Sequence, residues 1–147
     1  MTDLVRFRIV CNFLSDVRKV ADTITASKKV NEYFLVEKKD SLELRPSQRK
    51  SGERSIKFIL EYKNRRGLFL EIQVMTLLQE AWDKKDHFLV YETHRLEPGE
   101  DERNFPDYLD AKLFAMSELL YVADNYFDDL RNSRENEKES GNAGGKP

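Results

Sequence analysis

Two stretches in which apolar and polar residues alternate, over positions 54–62 and 68–75, limit most strongly how this chain can fold. A period of two places every second side chain on the same face of a β-strand. The apolar rows are Ile56, Phe58, Leu60 and Tyr62 in the first stretch, and Leu68, Leu70, Ile72 and Val74 in the second. Because only the short polar segment KNRRG separates them, the two strands are predicted to form an antiparallel hairpin.

The second strand of the hairpin carries an acidic residue, Glu71, on the face opposite its apolar row. Glu71 shares that face with Phe69, Gln73 and Met75, so its carboxylate need not be buried in the main core. Thr76 is followed three residues later by Gln79, which resembles a capping box and predicts that a helix begins at Thr76.

Shorter patterns predict the elements that precede the hairpin. They indicate a strand over residues 4–11, a helix over 15–24 that Ser15 can cap, a short strand over 32–38 and a polar loop over 39–54. The helix after the first strand is expected to pack back on the sheet, and an antiparallel hairpin combined with helices is typical of an α+β fold.

A long helix is predicted near the end of the chain. Asn104 and Pro106 indicate its start, and apolar residues recur at intervals of three and four as far as Arg131. Residues 132–147 contain no apolar side chain that could anchor them apart from Ala143, so a disordered tail is predicted there.

Composition limits the classes of protein that remain. With 147 residues and 39% hydrophobic content the chain can bury one core, and its 25 basic and 27 acidic residues leave a net charge of only -2. One cysteine, Cys11, and two histidines exclude an internal disulfide and a zinc site built on paired thiolates. The sequence shows no apolar leader and no run near the roughly 20 residues of a membrane-spanning helix. We therefore expect a soluble protein of the reducing cytoplasm.

Two carboxylates are the candidate catalytic groups, because no Gly-rich phosphate loop, dinucleotide fingerprint or nucleophile elbow is present. Asp3 stands at the start of the first strand and Glu71 lies on a later one. If the sheet brings them together, they could hold Mg2+ against phosphates. The alternative is that Asp3 caps the strand and Glu71 pairs with a cross-strand Lys or Arg, and spacing alone favours this alternative.

The segment EIQVMTLLQEAWDKKDHFLVYE resembles the synthetase domain of the RelA/SpoT family, whose pattern here is EIQ[IV]RT followed by W-A, E-H and Y-K. The matching residues are Glu71, Ile72, Gln73, Thr76, Trp82, His87 and Tyr91. Upstream, DLVRFRIV is similar to the family's D-[IL]-x-G-x-R-[IV] strand, and SGERSIKF is similar to its G-Y-R-S-[IL]-H segment. Together with the C-terminal LLYVADNYFDDL, the resemblance covers residues 3–131, which we expect to form one domain.

The resemblance implies a nucleotidyltransferase-like mixed sheet that moves the pyrophosphoryl group of ATP to the 3′-hydroxyl of GDP or GTP, with Mg2+ as cofactor. Asp3 and Glu71 would be the catalytic and metal-binding residues. The implied substrate-binding residues are Arg8, Lys38, Arg54, Ser55, Lys57, Gln73 and His87. For His87 a structural hydrogen-bonding role near Tyr91 and Asp83 is the alternative.

Several positions depart from the family pattern where substrates would bind. Glu53 replaces the tyrosine that stacks on guanine, which removes an aromatic face and adds a negative charge. The further departures are Arg6 for glycine, Lys57 for histidine, Met75 for arginine and Asp83 for alanine. The family's basic ATP-binding segment precedes the aspartate strand, and only Met1 and Thr2 precede Asp3 here. We therefore expect weak or no activity.

Two alternatives remain open. The first is an active GTP pyrophosphokinase that is completed by a missing N-terminal segment, a partner chain or a second copy. The second is an RNA-binding module that uses the Lys/Arg-rich loop 38–57, although such a loop is more often a solvated surface.

Overall fold

The computed structural model describes the backbone of residues 3–43, 52–89 and 107–143. The elements, in chain order, are β1 (Asp3–Cys11), α1 (Leu14–Ala26), α2 (Lys28–Tyr33), β2 (Phe34–Asp40), β3 (Ile56–Tyr62), β4 (Leu68–Thr76), α3 (Leu77–His87) and α4 (Asp107–Ala143). The strands form one sheet with the order β1-β4-β3-β2. The predicted α+β fold, with a mixed sheet flanked by helices and a long C-terminal helix, is confirmed.

The sheet is mixed because β1 runs parallel to β4, whereas β3 is antiparallel to both β4 and β2. The predicted hairpin of β3 and β4 is confirmed. Its connection ends at Gly67, whose φ of 83° lies in the left-handed region that glycine adopts without strain. The register aligns Arg8 with Gln73, and Gln73 with Lys57, so these three residues form one row on a single sheet face.

The main core lies on the other face of the sheet, against α1. Leu14, Val17 and Ala21 of α1 are buried there. The strand residues that complete the core are Ile56, Phe58, Leu60 and Val74, which belong to the predicted apolar rows. Burial of a side chain of this size contributes about 1.5–3 kcal/mol relative to exposure. A slip of one residue in register would turn the charged row into the core, so this burial fixes the register.

Two local predictions differ from the structure before β2. Ser15 does not cap α1; the helix starts after Phe13 without a side-chain cap, and Ser15 instead donates through its N–H and Oγ to Asp128 at 2.8 and 2.9 Å. The short helix α2 was not predicted, because its six residues KKVNEY have no apolar period. Ser27 caps α2 by accepting a hydrogen bond from the Val30 N–H at 3.3 Å.

Helix α4 contacts both α1 and α3, and polar side chains make much of the contact. Asp124 of α4 accepts a hydrogen bond from Thr76 Oγ1 at 2.6 Å, and the indole N–H of Trp82 donates to the Leu113 carbonyl at 2.7 Å. Burial raises the pKa of Asp124, although the Thr76 hydrogen bond opposes the shift. A helix attached by specific polar pairs is fixed in rotation as well as in position.

The helix also extends beyond its predicted end. α4 continues to Ala143, whereas a disordered tail was predicted from Asn132. Residues 132–139 are exposed, so burial does not explain this helix. They are rich in good helix formers such as Arg134, Glu135 and Lys138, and extending an existing helix avoids the cost of nucleation. The predicted start signals, Asn104 and Pro106, lie outside the described residues.

Candidate active-site cleft

A cleft of about 410 Å³ lies on the sheet face opposite the main core, where β1, β4, β3 and α3 come together. This volume falls in the range of about 300–1,000 Å³ that is usual for ligand pockets. The cleft is lined by three cations and three carboxylates, together with Phe7, Gln73 and His87. The charged residues are Arg6, Arg8, Lys57, Glu53, Glu71 and Asp83. Five of the residues predicted to form the site are therefore brought together: Arg8, Lys57, Glu71, Gln73 and His87.

Arg8 lies at the centre of a hydrogen-bond network in the cleft. Its Nε and Nη2 donate to Gln73 Oε1 at 3.1 and 2.9 Å, and Nη2 also donates to Asp83 Oδ2 at 2.7 Å. The parallel register places Arg8 beside Gln73, and α3 supplies Asp83. The Arg8 guanidinium is thus held at the cleft, but the Asp83 carboxylate already occupies part of its hydrogen-bonding capacity.

Glu53 extends this network towards β3. Its Oε1 accepts hydrogen bonds from Ser55 Oγ at 2.6 Å and Gln73 Nε2 at 2.7 Å, and its Oε2 accepts from Lys57 Nζ at 2.8 Å. Burial alone would raise the pKa of Glu53, but the hydrogen bonds from Lys57 and Ser55 and the Lys57 charge hold that pKa below its ordinary value. Glu53 is therefore ionised at neutral pH, and it neutralises Lys57.

Glu71 lines the cleft with a side chain that is 19% exposed, and its Oε1 lies 3.8 Å from Arg6 Nε. Arg6 is its register partner on β1, so Glu71 does make the cross-strand ion pair that spacing alone favoured. At 3.8 Å the contact is an ion pair without a hydrogen bond, so it orients the carboxylate only loosely. The backbone of Asp3 pairs with Leu68, three residues before Glu71 on β4, and the Asp3 side chain lies outside the described part of the structure.

Arg54 and Ser55, two predicted substrate-binding residues, do not line the cleft. The Arg54 side chain is 3% exposed, donates to Glu118 at 2.8 Å and to the Leu42 carbonyl, and lies 3.9 Å from the centroid of the Tyr121 ring. These partners direct its guanidinium towards α4. Ser55 is also buried and reaches the cleft only through its hydrogen bond to Glu53.

Lys38 does not line the cleft either. It is exposed on β2 and aligned with Phe58, whose side chain lies in the core, so it belongs to a different row from Lys57. Its neighbour Lys39 is the register partner of Lys57. The basic loop considered as an RNA surface also begins here, and its residues 44–51 lie outside the described residues.

Three charged residues of the cleft were not predicted to be part of the site. Arg6, Glu53 and Asp83 were named as departures from the family pattern and not as site residues. For Arg6 the sequence does hold a signal, since alternation along the first strand places it on the same face as Arg8, two residues later. Asp83 could have been placed by its spacing of four residues from His87, which puts both side chains on one side of α3.

Gly52 allows the segment that carries Glu53 to pack against α3. A Cβ atom at this position would lie 2.4 Å from Cζ2 of Trp82, and the Trp82 side chain is itself buried. The Ser117 hydroxyl of α4 donates to the Gly52 carbonyl, so the segment is also attached to that helix. A larger residue would displace Glu53 from its position in the cleft.

The donor groups of the cleft are compatible with Mg2+ that arrives with a nucleotide. Within residues 3–43, 52–89 and 107–143, no three His, Cys, Asp or Glu side chains converge on a point. Mg2+ does not require such a cage, since it is usually bound by one or two carboxylates together with substrate phosphates and water. Glu71 is a cleft carboxylate that could serve as such a ligand.

In the described part of the chain, no helix has the length and apolar character needed to cross a membrane.

Comparison with known proteins identifies relatives in alarmone metabolism. GTP pyrophosphokinase YjbM of Bacillus subtilis (strain 168) is 24% identical over 136 residues, which span 89% of this chain and 58% of the relative. The crystal structure of small alarmone synthetase 1 from Bacillus subtilis bound to its product pppGpp matches with a TM-score of 0.67 and 24% identity, over 87% of this chain and 61% of the other.

Other structures show the same fold. Small alarmone synthetase 2 from Bacillus subtilis matches with a TM-score of 0.67 and 21% identity, over 87% of this chain and 66% of the other. The structure of smu.1046c from Streptococcus mutans UA159 matches with a TM-score of 0.64 and 26% identity, over 94% of this chain and 65% of the other. The chain therefore spans about three fifths of the length of these relatives.

The family model described as the region found in RelA / SpoT proteins matches residues 1–95. This match includes β1, the hairpin of β3 and β4, and α3, which together form the cleft. The chain belongs to the RelA/SpoT family and is related by homology to enzymes of alarmone synthesis.

Proposed function

We propose that the chain binds purine nucleotides through their phosphates in the cleft, and that it transfers a pyrophosphoryl group from ATP to GDP or GTP slowly or not at all. One observation supports the weak activity: each cation among the described lining residues is paired with a carboxylate. The pairs are Arg6 with Glu71, Arg8 with Asp83, and Lys57 with Glu53. Three positive and three negative charges cancel, so the cleft attracts a triphosphate far less than a basic cleft would.

The cleft residues fit the roles that the reaction requires. Arg8 and Lys57 would bind phosphate oxygens once these displace Asp83 and Glu53, and Gln73 keeps the Arg8 guanidinium oriented. Glu71 would accept the proton of the attacking 3′-hydroxyl, while AMP leaves with the electrons of the broken bond. Glu71 would hold Mg2+ together with the substrate phosphates, whereas Asp3, which the family resemblance assigns to the same ion, pairs with Leu68 in the row opposite Glu71. When bound, Mg2+ would supply charge neutralisation on the transferred group.

Relatives of this chain bind the two kinds of nucleotide that the proposal requires. One matching structure is that of small alarmone synthetase 1 bound to its product pppGpp, and another is the same protein bound to AMPCPP. These ligands support a guanosine nucleotide and an adenosine nucleotide as the pair of substrates of this chain.

The test is to incubate the full chain with ATP, GTP and Mg2+ and to separate the nucleotides by anion-exchange chromatography. We expect little or no pentaphosphate, together with a thermal shift by GTP that is lost in Arg8→Ala. Rapid product formation that Glu71→Gln abolishes would show that the self-neutralised cleft does not limit the reaction. If no nucleotide shifts the melting temperature, nucleotide binding itself is refuted. Glu32→Gln, at an exposed position on α2, is the matched control.

A further inference from the structure

Strand β1 lies at one edge of the sheet, with β4 on one side and no described strand on the other. Its register with β4 runs without a bulge from Asp3 to Cys11, over the full length of the strand. The open side of β1 therefore presents a straight row of backbone N–H and C=O groups that no described strand pairs. Such a row is a template for a strand from another chain.

Apolar side chains of β1 are accessible as well. Phe7 is 56% exposed, Val5 is 50% exposed and Ile9 is 36% exposed. Because they alternate along the strand, the three side chains lie on one face, which is the face of the main core since Ile9 is aligned with Val74. Val74 is buried in the core that α1 covers, whereas the apolar row of β1 remains accessible. A strand added beside β1 would give this row cross-strand neighbours.

The two edge strands of the sheet differ in their protection against such pairing. Natural edge strands often carry lysine and other charged residues that prevent the addition of another strand. The opposite edge strand, β2, has four consecutive exposed charged residues at 37–40, and Lys39 Nζ lies 3.2 Å from Glu37 Oε1. Strand β1 contains neither lysine nor proline, and carboxylates of the same chain pair with both of its arginines on the cleft face. The β1 edge is therefore the less protected of the two.

One of these arginines retains capacity for a further partner. Arg8 is occupied, since Gln73 and Asp83 accept hydrogen bonds from its guanidinium. The Arg6 side chain is 71% exposed, and its ion pair with Glu71 spans 3.8 Å without a hydrogen bond. Because a guanidinium has five N–H donors, a carboxylate on an added strand can bind Arg6 while Glu71 keeps its place.

Strand β4 shows which side chains β1 accepts in a neighbouring strand. The β4 residues aligned with Val5, Phe7 and Ile9 are apolar, and the residue aligned with Arg6 is Glu71. We propose that the open edge of β1 binds an extended segment of a partner protein in which apolar and acidic residues alternate. Its apolar side chains cover the exposed row of β1, and an acidic side chain binds Arg6. Because Arg6 also lines the cleft, the bound segment borders the proposed nucleotide site.

A second copy of this chain fits the edge less well. Antiparallel pairing of two β1 strands about Phe7 aligns their full length, but it places Arg6 opposite Arg8 of the other copy. Like charges directly opposite each other destabilise a pair of strands. Charge therefore favours a partner whose sequence differs from that of β1.

The test is fluorescence anisotropy of the full chain with three labelled peptides, VEVEVEV, VKVKVKV and SESESES. We expect VEVEVEV to bind, because it combines apolar side chains with acidic ones. The lysine peptide has the wrong charge for Arg6 and the serine peptide lacks apolar area, so both should bind more weakly. Hydrogen exchange of the β1 backbone amides should slow when VEVEVEV is added, since pairing at the open edge protects them.

Two substitutions on β1 test the two kinds of contact. Phe7→Thr keeps a residue that favours strands but removes apolar area, so it should weaken VEVEVEV binding about 2- to 5-fold, the contribution of one cross-strand pair. Arg6→Glu should reverse the preference, so that this variant binds VKVKVKV better than VEVEVEV. Leu35→Thr, at a 57% exposed position of β2, is the matched control and should bind VEVEVEV as the wild type does.

The proposal is refuted if VEVEVEV does not bind, or if Leu35→Thr weakens its binding and Phe7→Thr does not. If light scattering shows that the chain alone forms a dimer that Phe7→Thr disrupts, the edge pairs with a second copy and the proposed partner is wrong. These results do not depend on nucleotide binding, so the proposed function can fail while this proposal stands.

Discussion

Replacing Asp83 by alanine should increase the affinity of the cleft for nucleotide phosphates. Asp83 Oδ2 lies 2.7 Å from Arg8 Nη2, and the two side chains are 27% and 35% exposed. A phosphate that binds Arg8 must compete with this carboxylate and also experiences its negative charge. Alanine removes both effects, and it restores the residue that the family pattern has after the tryptophan.

The size of the effect follows from two contributions. An ion pair exposed to solvent to this extent contributes about 0.2–1 kcal/mol, and that is the cost of breaking it. Repulsion between unit charges about 6 Å apart in a water-like dielectric adds about 0.7 kcal/mol. The sum of about 0.9–1.7 kcal/mol corresponds to about 5- to 20-fold tighter binding of GTP. Because the cleft is open to salt, the gain should shrink as ionic strength rises.

The measurement is titration calorimetry of GTP binding to the wild type and to Asp83→Ala at two salt concentrations. Asp129→Ala is the control, since it removes the same charge from an exposed position of α4 that does not line the cleft. Equal affinities of the wild type and Asp83→Ala would refute the view that Asp83 competes for Arg8. If Asp129→Ala gains as much affinity for GTP as Asp83→Ala does, the effect comes from the net charge of the protein and not from competition for Arg8.

Three further substitutions test the packing at Gly52, the buried carboxylate of Asp124 and the Asp16–Arg131 ion pair by thermal unfolding. Gly52→Ala should lower stability by about 1–3 kcal/mol, because the added Cβ would lie 2.4 Å from a Trp82 ring atom; an unchanged melting temperature would contradict this packing. Asp124→Asn should raise the melting temperature at pH 7, because burial raises the pKa of Asp124 and so makes its ionised form unfavourable in the folded protein. The gain should disappear as the pH falls and the Asp124 carboxylate of the folded wild type becomes protonated. A gain that is independent of pH would contradict this explanation. Asp16→Asn should lower the melting temperature at pH 7 by about 2–4 °C, because the hydrogen bond from Arg131 stabilises the ionised carboxylate and depresses the pKa of Asp16. The difference in melting temperature between the wild type and Asp16→Asn should vanish as the pH falls through this depressed pKa. If the difference persists at pH 2, it does not arise from the ion pair.

The parts of the fold that follow a local period could be predicted from the sequence. The hairpin was predictable because alternate residues along most of β3 and β4 lie in the core or pack against it. Thr76 was recognised as a cap because its partner, the Gln79 N–H, is only three residues away. Ser15 was misassigned because its partner Asp128 is 113 residues away, and no local rule can anticipate such a contact.

Of the residues that line the cleft, the sequence could predict those whose position follows from alternation along a strand. Alternation places Glu71 and Gln73 on one face, and the family resemblance selects that face as the candidate site. Arg54 lies in a segment without a period, so the sequence does not show that its guanidinium turns towards α4 instead of the cleft. The pairing of Arg8 with Asp83 depends on how α3 packs beside β1, which is a tertiary property.

Adjacent residues connect the C-terminal helix to the cleft. Glu53 binds Lys57 and Gln73 in the cleft, while the next residue, Arg54, binds Glu118 on α4. A single peptide bond thus joins the residue that binds α4 to the residue that binds the cleft. A rotation of α4 by a few degrees would displace Arg54 and, through this bond, Glu53, which would change the ion pair between Glu53 and Lys57. A molecule that binds the outer face of α4 would therefore affect nucleotide binding in the cleft.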